Sequence, residues 1–199
     1  MLFRSVVTAF APVADARKTL TPVLRSDAGE TELILVDLGC GRNRLGGSIL
    51  AQVYGRFGDR CPDADDPALV KALFDVVQKL SGEGLLLAYH DRSDGGLFAA
   101  ACEMAFAGHV GVTINLDAIG ADPSDDVDAF KRNAELQLAG RARELALSAL
   151  FAEELGALLQ IRVADRTRVM DAMRAAGLGD YAHVVATPNA RDEIRITRN

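Results

Sequence analysis

The stretch from Leu85 to Ala107 constrains the fold of this chain more than any other. Leu85-Leu86-Leu87-Ala88-Tyr89 is an apolar run of strand length, and Leu97 to Ala107 carries helical periodicity. Between them lies His90-Asp91-Arg92-Ser93-Asp94-Gly95-Gly96, a strand-to-helix turn with two carboxylates, a hydroxyl and two glycines. Such a turn suits a phosphate group or a hydrated metal ion. The glycines let backbone come close, a helix start offers free N–H groups, and the carboxylates can hold Mg²⁺.

The same reading extended along the chain places strands at Ser5 to Phe10, Thr31 to Leu38, Val110 to Leu116, Ala157 to Val163, Ala182 to Ala186 and Glu193 to Thr197. Helices follow from Ser48 to Phe57 and after Asp66-Pro67, where the carboxylate caps and proline occupies the first turn. In that second helix Leu69, Val70, Leu73, Phe74, Val77 and Leu80 form one apolar face. Leu145 to Leu155 is helix or helix edge, and Asp165 caps a last helix carrying Val169, Met170 and Met173. Strands and helices are interspersed, but several strands follow one another closely. A mixed sheet with helices packed on it is therefore expected, in a single domain over residues 1–199. The abrupt ends suggest a piece of a longer polypeptide.

Charge and cysteine usage narrow the function. A formal charge of −6, with acidic clusters at Asp59 to Asp66 and Asp122 to Asp128, opposes a broad nucleic-acid footprint. No apolar run approaches the roughly 18 residues of a membrane span. The three cysteines, Cys40, Cys61 and Cys102, lack zinc-type spacing, fit small packed hydrophobes, and point to a reduced, cytoplasmic setting.

Four groups of residues could carry chemistry. Asp91 sits near the strand end and reads as a magnesium or phosphate ligand, whereas Asp94 can either cap the following helix or join it. His90 reads as a packed or hydrogen-bonded histidine. The segment Gly39 to Ser48 matches neither the Rossmann nor the Walker pattern. Even so, Gly46 and Gly47 open a helix, Ser48 offers a hydroxyl, and Arg42 and Arg44 add positive charge. That segment is either a phosphate cradle or a glycine-rich turn for close helix–sheet packing. Glu153 and Glu154, between Phe151 and Leu155, either put one carboxylate into a cleft or form a surface pair.

Several segments resemble phosphoribosylformylglycinamidine synthases (FGAM synthases) of the large, single-chain type. The matching stretches are Val7 to Ala11, Arg17 to Pro22, Leu45 to Ser48 with Ala51 to Tyr54, Tyr89 to Leu97, Glu103 to Gly108, and Leu150-Phe151 with Glu153 to Ala157. They occur in family order and span most of the chain. The family enzyme has two halves that each resemble aminoimidazole ribonucleotide synthetase, followed by a glutaminase domain. This chain resembles the C-terminal domain of the second half. Aminoimidazole ribonucleotide synthetase itself and selenophosphate synthetase fit the blocks around Tyr89 and Phe151 less well.

The resemblance implies an α+β fold of three layers, α/β/α, with a mixed sheet. It implies ATP-dependent amidation for the whole enzyme: ATP phosphorylates the amide oxygen of formylglycinamide ribonucleotide, and ammonia from glutamine displaces phosphate. Asp91 matches a magnesium ligand and Ser93 a nucleotide contact, leaving Asp94 as the helix cap. Gly46, Gly47 and Ser48 are candidate nucleotide contacts. The implied cofactors are Mg²⁺ and ATP or ADP, in a site that holds a nucleotide without turning it over. The implied partners are the remainder of the same polypeptide, its nucleotide-binding half and glutaminase domain. The isolated piece is expected to be inactive. It can self-associate through surfaces that the rest of the enzyme would cover. Residues 122–147 look longer than the matching family segment and read as a surface insertion.

Overall fold

The fold is built around a six-stranded sheet in a computed structural model that describes residues 8–13, 15–58, 60–119 and 134–198, with residues 134–142 described by their backbone. The strands are β1 (Thr31–Asp37), β2 (Leu86–Asp91), β3 (Gly111–Asn115), β4 (Gly156–Arg162), β5 (Ala182–Asn189) and β6 (Ile194–Thr197). The helices are α1 (Ile49–Val53), α2 (Pro67–Gly82), α3 (Gly96–Gly108), α4 (Ala134–Phe151) and α5 (Arg166–Ala175). The strand order is β2-β4-β1-β5-β3-β6. Every pairing is antiparallel except β3 with β6, so the sheet is mixed as expected.

All seven residues of β1 are buried, which explains why its central residues Leu33 to Val36 are a continuous apolar run and not an alternating one. Leu33 and Leu35 point into a core shared with α3 and α4, where Leu97, Met104 and Leu150 meet them. Ile34 and Val36 point the other way, onto α2 and α5 with Leu73, Leu80, Val169 and Met173. Helices thus cover both faces and the architecture is three-layered. Removing a large side chain such as Leu35 from either core costs about 2–5 kcal/mol, because the neighbours only partly close the cavity.

Asp66 accepts from Ala68 N at 2.9 Å and starts α2, with proline in the first turn as its sequence indicates. The buried row of α2 is Leu73, Val76, Val77 and Leu80, however, while Val70 is 40% and Phe74 63% exposed. The apolar stripe is therefore wider than the layer beneath it can cover. The helix expected from Ser48 to Phe57 ends at Val53, since Gly55 and Gly58 both turn to positive φ. Asp165 stands at the start of α5 without a capping bond, and its carboxylate faces Arg162 and Arg168. Of the strand expected at Ser5 to Phe10, Ser5 to Val7 lie outside the described residues, and Thr8 to Phe10 are irregular and exposed. The expected insertion at 122–147 lies outside them up to residue 133, and from Ala134 the chain is helical.

The segment before β1 lies along the sheet as a strap. Gln160, fully buried, accepts from Arg25 N at 2.8 Å and donates to Arg25 O and Thr31 Oγ1 at 2.9 Å. Thr21 O accepts from Tyr89 N at 3.0 Å, so the strap partly covers β2, the edge strand nearest the candidate site. Among the described residues no helix is long and apolar enough to cross a membrane.

Candidate functional site

Strand register brings three chain segments to one end of the sheet. Asp37, the last residue of β1, pairs with Gly156, the first of β4, and Asp91 at the end of β2 pairs with Ala157. The polar groups that emerge there would be costly to bury alone, and they bond to one another, with Arg92 Nη1 alone of the Asp37–Arg92 pair left without a partner. The Asp37 carboxylate accepts from Gly39 N at 3.0 Å and Gly41 N at 2.8 Å, which shapes the glycine-rich turn after β1. It also takes an ion pair from Arg92 Nη2. Arg92 is only 1% exposed, and its Nε donates to Glu154 O at 2.8 Å while its own N donates to Gly156 O at 2.9 Å.

Arg92 therefore faces inward, and its neighbours Asp91 and Ser93 face solvent, as alternation along an extended segment requires. Asp91 Oδ1 accepts from the Tyr89 hydroxyl at 2.5 Å. Burial, reinforced by the Asp91 carboxylate, pushes the Tyr89 phenol above its usual range, so it stays protonated and keeps that bond. His90 lies 2.7 Å from Asp91 O through Nδ1 and 2.7 Å from Glu103 Oε2 through Nε2, which makes it a hydrogen-bonded anchor between β2 and α3.

The start of α3 corrects the expectation for Asp94. The residue at the cap position is Gly95, and no side chain of the turn itself caps the helix. Instead Glu153 Oε1 accepts from Gly95 N and from Ile49 N, each at 2.8 Å. A carboxylate from a distant turn thus joins the first residue of α1 to the cap residue of α3, where negative charge is favoured. The glycine pair is required because α3 begins against the turn between α4 and β4. Gly96 has φ +67°, and a Cβ on it would lie 2.7 Å from Ala152 O and 2.8 Å from Leu150 O.

Glu154, fully buried, accepts from Arg44 N at 2.9 Å and pairs with the Arg44 guanidinium at 2.8 Å. The Glu154 carboxylate raises the Arg44 guanidinium above its ordinary range. Arg44 also reaches Asp65 at 2.7 Å and, with Arg42, holds the Asp65 carboxyl below its ordinary range. Both members of the Glu153–Glu154 pair are therefore structural anchors, and neither forms a surface pair.

Gly46, Gly47 and Ser48 depart from the expected phosphate cradle. Gly46 N donates to Arg60 O at 2.6 Å, and Gly47 N donates to Phe57 O at 2.7 Å. Ser48, fully buried, donates its hydroxyl to Leu45 O at 2.8 Å and accepts from Ala51 N at 3.2 Å. All of these groups are engaged within the loop, and the three residues lie outside the lining of the groove described next. Their geometry is that of the tight turn that the sequence left as the alternative.

Asp91 and Ser93 open onto a groove of about 980 Å³ between the strap and α2, bordered also by Lys18, Thr19, Val70 and Phe74. Among the described residues no group of three or more His, Cys, Asp or Glu side chains could enclose a metal ion. Asp91 fits a hard cation as a single exposed carboxylate ligand, the usual situation for Mg²⁺, which takes one or two carboxylates together with phosphate oxygens and water. Sequence reasoning missed Arg92 and Asp37. Two signals were available: an aspartate directly after the apolar run Leu33 to Val36, and an arginine set between two candidate ligands.

The model of the family described as AIR synthase related protein, C-terminal domain, matches residues 31–199. Among solved structures, PurL of T. maritima complexed with ATP superposes with a TM-score of 0.61 at 17% identity, over 92% of this chain and 25% of that one. A structure of phosphoribosylformylglycinamidine synthase II from Thermotoga maritima gives 0.60 at 17% identity, over 92% and 26%. The hydrogenase maturation protein HypE of E. coli gives 0.54 at 21% identity, over 83% and 46%. The chain thus spans about a quarter of the length of the PurL structures that it matches. These likenesses share the fold described above, and the match across 31–199 places the chain in the family of AIR synthase related protein C-terminal domains.

Proposed function

We propose that this chain is the nucleotide-holding C-terminal domain of the second half of a large, single-chain phosphoribosylformylglycinamidine synthase. The whole enzyme would convert formylglycinamide ribonucleotide, glutamine and ATP to formylglycinamidine ribonucleotide in the cytoplasm. The observation that carries the reading is the outward presentation of Asp91 and Ser93, side by side, from a turn that Arg92 fastens to the sheet. The ATP complex of a similarly folded PurL supports it.

Asp91 would hold Mg²⁺, and Ser93 would donate its hydroxyl to a phosphate oxygen of ATP or ADP. Bound there, Mg²⁺ would neutralise charge on the phosphates. Tyr89 keeps one Asp91 oxygen hydrogen-bonded, which would leave the other for the cation. The Asp37–Arg92 pair is buried behind the turn and ties it to the end of β1. Gly46, Gly47 and Ser48 would support the site through the loop they close and not by direct contact.

Within that enzyme the domain would hold a nucleotide and contribute no chemical step, since its own carboxylate is a lone ligand whose companions must come from the preceding half. Asp91→Ala in the full-length enzyme tests this. Loss of bound nucleotide and lowered stability, with near-normal turnover per folded molecule, is the expected outcome. A collapse of turnover in a fully folded enzyme would refute it.

A further inference from the structure

We propose that α1 and the turn after it form a two-fold self-association surface, on which a second copy of this chain packs its own Val53, Tyr54 and Phe57. These residues lie outside the lining of the groove, and their contact does not depend on what the groove binds.

Apolar residues exposed singly are ordinary, but a cluster of them marks a contact surface. Val53 and Tyr54 are each 75% exposed and Phe57 is 91% exposed, with Ile49 at 40% on the same short excursion from the sheet. Their exposure is fixed by the backbone. Gly46 N donates to Arg60 O at 2.6 Å and Gly47 N to Phe57 O at 2.7 Å, which closes the neck of the loop. Arg56 N donates to Ala51 O at 2.8 Å and Gln52 Nε2 to Gly47 O at 2.9 Å, which braces its tip. Glu153 ties Ile49 N to the start of α3. The loop is thus held in one shape, and little ordering is left to oppose binding.

Charge and area select the occupant. Arg56 and Arg60 are exposed and make no ion pair among the described residues, and neither does Asp63, exposed on the returning arm. A patch with unpaired charges of both signs is complementary to a copy of itself under a two-fold axis, whereas an anionic surface would answer only the arginines. With the two loops antiparallel, Arg56 near the tip of one copy meets Asp63 at the base of the other. Each aromatic ring removes about 150–250 Å² from water, so four rings with Val53 and Ile49 of both copies reach about 1,000 Å², the least that a specific interface needs.

Sedimentation velocity of the 199-residue chain, without nucleotide and from micromolar to millimolar concentration, tests this. A monomer–dimer equilibrium with Kd of about 10–100 µM is expected. Phe57→Ser and Tyr54→Ser, both at exposed positions that leave the fold intact, should each weaken it by about 30-fold or more, because every change counts twice across the axis. Arg56→Asp should weaken it by about ten-fold, and Arg56→Asp combined with Asp63→Arg should recover it. Phe74→Ser and Phe106→Ser, exposed apolar positions on α2 and α3, should leave it unchanged. A chain that stays monomeric at millimolar concentration, or a dimer that Phe57→Ser leaves intact, would overturn the proposal. So would a dimer that Phe74→Ser or Phe106→Ser weakens instead, since its contact would lie on another face. Failure of the charge-reversed pair to recover association would overturn the two-fold arrangement.

Discussion

Arg92 and Asp37 form a buried ion pair across the ends of two strands that are not neighbours in the sheet, with β4 between them. Side-chain exposures of 1% and 7% leave neither charge to water. The pair is tolerable because each partner has further hydrogen bonds, Arg92 to carbonyls of β4's approach and Asp37 to the amides of Gly39 and Gly41.

Arg92→Leu should lower the unfolding free energy by about 3–5 kcal/mol, since it strands the Asp37 carboxylate in the interior. Urea denaturation measures this directly. A loss below about 1 kcal/mol would mean that water reaches Asp37 and that the pair is not buried in solution.

Gly96→Ala and Gly82→Ala make a matched comparison. At Gly96 positive φ and the carbonyls of Leu150 and Ala152 oppose a methyl group, and a cost above about 2 kcal/mol is expected. At Gly82, the last residue of α2, nothing lies within 4 Å of the added atom, so the change should stabilise by a few tenths to about 1 kcal/mol. Melting temperatures of the two variants should move in opposite directions.

Tyr89 should govern part of the alkaline stability. Its folded-state pKa is raised, chiefly by burial, so its contribution is complete below the unfolded value near about 10 and is lost as pH rises from there toward the folded value. Urea midpoints of the wild-type chain should fall over that range, and Tyr89→Phe should flatten the fall. An identical slope in the variant would show that the phenol titrates freely.

Glu153→Gln keeps an acceptor for Gly95 N and Ile49 N but removes the charge beside the start of α3. A loss of about 0.5–1 kcal/mol is expected, shrinking as salt is added. Hydrogen exchange at Gly95 and Ile49 should accelerate together, because one oxygen holds both.

Much of the fold was legible in order and type. Thr31 to Leu38, Leu85 to Tyr89 and Ala157 to Val163 read as strands from short apolar runs, and Asp66-Pro67 read as a helix start; each is an element whose signal lies within its own few residues. The misjudged side chains are those whose partners are remote. Asp94 looked like the cap of α3 by proximity, yet Gly95 holds the cap position and Glu153, 58 residues away, accepts from its N–H. Ser48 looked like a hydroxyl for a ligand, yet it closes its own turn. Val70 and Phe74 shared the apolar face of α2, and only the width of the layer beneath left them on the groove wall.

By itself the sequence determined the interspersed strands and helices, the start of α2 at Asp66-Pro67, and the turn that carries Asp91 and Ser93, since all of these depend on local periodicity and backbone freedom. Tertiary structure alone decided which charges are structural and which face the groove. Arg92 meets Asp37 across 55 residues and Glu154 across 62, and Arg44 meets Glu154 across 110. Strand register sets those meetings. Once it has buried Arg92 between two outward-facing neighbours, Asp91 and Ser93 are left to whatever the groove admits.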